Sequence, residues 1–101
     1  MDTNIVHVNI ELEDLIPNFL KNRAAEINSL KEAVTNSNFE DIKFLSHSLK
    51  GTAGGYGFDH LSLLAKEIEL ASMNKSLEEI EKLVIELQQH FDNIEIIYVE
   101  E

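Results

Sequence analysis

Four stretches of this chain repeat their apolar residues at helical spacing, and only short breaks separate them. The first covers about 14–35, with Ile16, Phe19, Leu20, Ile27, Leu30 and Val34 on one stripe. The second, 38–54, carries Ile42, Leu45, Leu49, Ala53 and, just past its end, Tyr56. The third, 58–73, carries Leu61, Leu64, Ala65, Ile68 and Ala71, and the fourth, 77–95, carries Ile80, Leu83, Val84, Leu87, Phe91 and Ile94. Each stripe is wide enough to bury one face of a helix. Short connections make consecutive helices antiparallel neighbours. The expected fold is all-α: an antiparallel up-down-up-down four-helix bundle, with 1–101 as a single domain. A chain of 101 residues suffices for one core but not two.

Local signals set the expected boundaries. Asp14 is the expected N-cap of the first helix, which places Pro17 in the first turn, where amides lack helical partners anyway. Ser37-Asn38-Phe39-Glu40 and Ser76-Leu77-Glu78-Glu79 both read as capping boxes. Gly54 or Gly55 ends the second helix. The β-branched stretches 4–10 and 94–99 suit either two paired strands or a fourth helix fraying into an extended tail, and the fraying tail is the expectation.

Charge and composition exclude several classes of function. A net charge of −11 repels nucleic-acid backbones and anionic membranes, and reads either as ordinary solubility or as a selection of partners with a basic docking face. The chain has no cysteine, so disulfides, thiolate metal sites and cysteine nucleophiles are ruled out. No apolar run approaches the ~20 residues of a membrane span. No basic region followed by an apolar run opens the chain, so no secretory signal is read and a cytoplasmic location is expected. His7, His60 and His90 share no metal-ligand spacing. Glu86 and His90, four apart, read as a surface contact, so no metal or other cofactor is expected on this chain.

The chemistry concentrates at His47-Ser48-Leu49-Lys50-Gly51. At about 100° per residue, Leu45 and Leu49 each lie about 160° from His47, so a core-facing pair of leucines turns the histidine to solvent. Lys43, Lys50, Gly51 and Gly54 fall within about 60° of it. One imidazole, two cations and two residues without side chains thus share a surface strip. A lone surface histidine is ordinarily only a solvated residue, and its neighbours are what set this one apart. Glycine costs roughly 1 kcal/mol in a helix, so glycines here keep the imidazole open to something large. A neutral imidazole is a competent nucleophile, and Lys50 could steady an anionic adduct. Phe44, about 60° away, reads either as a core-edge residue or as an apolar contact for a partner.

The run from Phe44 to Glu69 resembles histidine-containing phosphotransfer (HPt) domains of two-component phosphorelays. His47-Ser48-Leu49-Lys50-Gly51, Gly57-Phe58, Leu61, Leu64-Ala65 and Ile68-Glu69 carry the likeness. Ser46 stands where that family often has alanine. The resemblance implies that His47 accepts a phosphoryl group, Lys50 stabilises it and Gly51 leaves room for it. It also implies that Glu69 hydrogen-bonds the other ring nitrogen, as a glutamate does at the matching position in chemotaxis kinases. Read without the resemblance, Glu69 is a solvated charge or an ion pair with Lys66 or Lys50. Lys43, Phe44 and Gly54 are the expected docking residues.

The implied partners are receiver domains of response regulators or hybrid histidine kinases, with Mg²⁺ on the receiver. The protein is then a phosphoryl carrier rather than an enzyme, and cannot take phosphate from ATP unaided. It is expected as a monomer and as a stand-alone protein, with an excised domain of a hybrid kinase as the alternative. The rivals are a binding-only bundle that docks and inhibits a receiver or kinase without being phosphorylated, and a metal-binding or hydrolytic bundle.

Overall fold

The computed structural model describes residues 4–100; residues 1–3 and 101 of the expected domain lie outside the described residues. The chain forms strand β1 (Ile5–Asn9), a short 3-10 helix (Ile10–Leu15), helices α1 (Ile16–Thr35), α2 (Phe39–Gly55), α3 (Asp59–Met73) and α4 (Leu77–Asp92), and strand β2 (Glu95–Val99). Four helices surround one core built from Ile16, Phe19, Ile27 and Leu30 of α1, Ile42 and Leu49 of α2, Leu61 and Ile68 of α3, and Ile80 and Leu87 of α4. Contacts between α2 and α3 run in reverse order along the chain: His47 meets Glu69, and Lys50 meets Ser62.

The all-α expectation needs one correction. The two tails pair as a parallel two-stranded ribbon, in register from Ile5 opposite Glu95 to Asn9 opposite Val99. Val6 and Val8 are buried while His7 between them is exposed, so the alternation in β1 fixes which face meets the core. The same ribbon shortens α4. The Glu95 amide bonds the Asn4 carbonyl at 2.8 Å, and the helix stops at Asp92 instead of running to 95.

Helix starts differ from the expected caps. Asn9 accepts the Glu11 amide at 2.9 Å and opens the 3-10 helix, so Asp14 sits inside that turn and Leu15 precedes α1. Pro17 falls in the first turn, where its missing amide costs nothing. Ser37 does not cap α2. Asn38 does, accepting the Asp41 amide at 3.1 Å and donating to the Asp41 carboxylate at 2.9 Å. Ser76 holds the cap position of α4, but its hydroxyl makes no capping bond.

The reason lies in a corner used three times. Ser37, Gly57 and Lys75 all have positive φ, at 51°, 85° and 54°. In each corner two amides fold back onto the helix just ended: Ser37 to Val34 and Asn38 to Ala33, Gly57 to Gly54 and Phe58 to Ala53, Lys75 to Ser72 and Ser76 to Ala71. These pairs satisfy carbonyls that a helix end leaves free, in the Schellman pattern. The next residue then starts the following helix, so the links contain no slack. Only one corner has the glycine that a left-handed residue favours. Lys75→Gly and Ser37→Gly should each raise the unfolding free energy, by up to about 1 kcal/mol, and Gly57→Ala should lower it by about as much or more. Urea titration of the three variants checks this.

The ribbon is tied to the bundle through His90, which is buried in the last turn of α4. Its Nδ1 lies 2.8 Å from Asn4 Oδ1, and its ring meets His60 edge-on at 4.6 Å. Burial holds the His90 pKa below its ordinary 6.5, and charge on His60 lowers it further. The unfolded chain therefore binds this proton more readily than the folded one. The stability His90 contributes is complete above pH ~6.5 and is lost as pH falls through its lowered value. Between pH 7.5 and 5 the wild type should lose more unfolding free energy than His90→Gln; parallel slopes would show that His90 does not titrate between the two states.

Candidate functional site

The exposed face of α2 is set by what the helix buries. Ile42, Ser46, Leu49 and Ala53 are buried, whereas Leu45 is only half-buried. Serine 46 fits inside because its hydroxyl bonds back to the carbonyls of Ile42 at 2.7 Å and Lys43 at 3.1 Å. Replacing Leu45 by Ser46 in the buried stripe turns α2 by about 25° from the expected orientation. Phe44 then points almost directly away from the core and is 71% exposed, so it is not a core-edge residue. His47 moves to about 130° from the buried axis, nearer the flank where α3 lies.

That turn brings an imidazole, an ammonium and a carboxylate together. His47 Nδ1 lies 2.9 Å from Glu69 Oε2, and Lys50 Nζ donates to Glu69 Oε1 at 2.9 Å. The Glu69 side chain is 10% exposed and that of His47 is 65% exposed, so a buried acceptor orients an open ring. Burial alone would raise the Glu69 carboxyl pKa, but the hydrogen bonds and charges of Lys50 and His47 outweigh it and hold the group below its ordinary value. An ionised carboxylate can only accept, so in the neutral imidazole Nδ1 carries the proton and Nε2 the lone pair. Lys66 is exposed, and Glu69 bonds to His47 and Lys50 instead.

An open cleft beside the ring is lined by Glu40, Asp41, Lys43, Phe44, His47 and Glu69. The glycines divide into two kinds. A β-carbon at Gly51 would meet nothing within 4 Å, whereas one at Gly54 would sit 3.2 Å from the Ser62 hydroxyl. Gly51 is therefore not required by packing, and Gly54 marks a close approach of α2 to α3. Ser62, which the sequence reading passed over, donates to the Lys50 carbonyl at 2.8 Å. Its one signal was a small polar residue two turns before Glu69. Among the described residues no group of three or more His, Asp or Glu side chains is placed to hold a metal ion, and no helix is long and apolar enough to cross a membrane.

Gly51→Ala should raise stability by roughly 1 kcal/mol, the helix-propensity difference, because its methyl enters open space. Gly54→Ala should gain less, since Ser62 must give way. Paired thermal melts test both, and a destabilised Gly51→Ala would show that packing demands the glycine after all.

The model of the Hpt domain family matches residues 14–95 of this chain. No curated protein and no solved structure matches it.

Proposed function

The chain belongs to the Hpt domain family, and from that premise we propose that it accepts a phosphoryl group on His47 from a receiver-domain phospho-aspartate and relays it to another receiver. Family members are phosphocarrier modules of two-component systems, not kinases, and they interact with receiver domains. The observation that carries the residue assignment is the Glu69 bridge, which holds the proton on Nδ1 of an exposed ring.

In the forward step the Nε2 lone pair attacks phosphorus in line. The N–P bond forms as the bond from phosphorus to the aspartate oxygen breaks, and the aspartate leaves as a carboxylate. The Nδ1 proton stays in its bond to Glu69, which offsets the positive charge that develops on the ring. Lys50, one turn from His47, supplies a cation for the phosphoryl oxygens. The second transfer reverses these bonds onto a new aspartate. Mg²⁺ belongs to the receiver in this reading. Lys43, Phe44 and the open backbone at Gly51 form the docking surface, and exposed Met73 shares a neighbouring cleft with Lys43. The frame is an up-down-up-down bundle, working as a monomer in the cytoplasm.

Incubation with a phosphorylated receiver tests the proposal. The wild type should gain acid-labile phosphate, and His47→Gln, folded by circular dichroism, should gain none. Lys50→Ala should slow transfer roughly 10- to 100-fold, the worth of one charge-assisted hydrogen bond. A wild-type chain that binds phosphorylated receivers tightly without acquiring phosphate would favour the binding-only alternative.

A further inference from the structure

Lys50 is held from α3 at both of its ends. Its ammonium donates to Glu69 Oε1 at 2.9 Å, and its backbone carbonyl accepts the Ser62 hydroxyl at 2.8 Å. Ser62 and Glu69 are seven residues apart, two turns along the same face of α3. The carbonyl is a mid-helix one, and in an α-helix it also serves the amide four residues on, that of Gly54. Residue 54 is where a β-carbon would crowd the hydroxyl, at 3.2 Å from Ser62 Oγ and 3.8 Å from its Cβ. The glycine thus admits the serine close enough to reach the backbone of α2.

A directional bond at this point has a specific effect. Apolar side chains resist separation of two helices but tolerate small slides and rotations. A slide of one residue is about 1.5 Å, enough to break a bond of hydrogen-bonding length. Glu69 must meet two donors on α2 at once, His47 Nδ1 and Lys50 Nζ. Both bonds require α2 to sit at one height and one rotation against α3.

We propose that Ser62 is a positioning residue: its bond to the Lys50 carbonyl pins α2 so that Glu69 can hold His47 and Lys50 together. The consequence for transfer rests on His47 being the phosphoryl acceptor, but the effect on the imidazole does not. Ser62 bonds to the Lys50 backbone rather than to the His47 ring, so it acts through where Lys50 and Glu69 stand.

The ¹⁵N spectrum of the His47 ring reads the tautomer directly, without any phosphoryl donor. In the wild type the Nδ1–H form should dominate. Ser62→Ala should raise the share of the Nε2–H form at unchanged helix content, and Ser62→Thr, which keeps the hydroxyl, should return the wild-type spectrum. Transfer from a saturating phosphorylated receiver should fall about 2- to 10-fold in Ser62→Ala, with the half-saturating receiver concentration unmoved. A wild-type His47 spectrum in folded Ser62→Ala would overturn the proposal. If Ser62→Ala does not fold, Gly54→Ala decides: displacing the hydroxyl should shift the same signals, and an unshifted spectrum would overturn it. A wild type that shows the expected spectrum yet never takes phosphate would refute the phosphotransfer reading and leave the role of Ser62 standing.

Discussion

The rotation of α2 about its own axis is the constraint on which the site depends. It is fixed by a buried serine in a stripe that otherwise reads as leucine and isoleucine. A leucine at 46 would not fit a position that is fully buried beside Ile42 and Leu49. The serine fits because its hydroxyl is satisfied by its own helix. With that orientation set, Phe44 faces outward, and His47 stands at the α3 flank within reach of Glu69. A core residue with no part in the chemistry thus decides which nitrogen of the imidazole is free.

Glu69 shows how a strongly acidic chain keeps a carboxylate useful in a nearly buried place. Taking the charge out of water is costly. Two donors on the neighbouring helix offset that cost, and the result is a carboxyl that ionises more readily than in water. The arrangement also ties the cation and the imidazole to one acceptor, so their relative positions are set by α3 rather than by their own flexible side chains. Nineteen acidic residues against eight basic ones make most carboxylates of this chain solvated surface charges. This one differs because it is enclosed.

Helical periodicity made α1, α2, α3 and α4 legible to within a few residues, because each buries a continuous face and periodicity records burial. The solvent side of His47 and the reach of Glu69 followed from the same wheel and from the family likeness. Three features did not follow. Ser46 is polar, and periodicity counts only apolar residues, so the stripe was drawn through Leu45. The Ser37 capping box has the right letters, but a left-handed corner already uses Ser37, and the cap passes to Asn38. The ribbon depends on a pairing between distant segments, and β-branched composition cannot name a partner.

That ribbon joins residue 5 to residue 95, a separation of 90 positions, the difference of the two numbers in its register. In an open chain, closing such a loop carries an entropy cost of about 4 kcal/mol, more than five paired residues repay. The cost is met in advance, because the four helices and their tight corners return the chain to where it began. The strands meet most readily once the helices have assembled, because theirs is the least local pairing in the fold. Their pairing, anchored on Asn4 and on the end of α4, serves as a gauge of bundle integrity: backbone protection in the ribbon reports whether the helices that present His47 are in place.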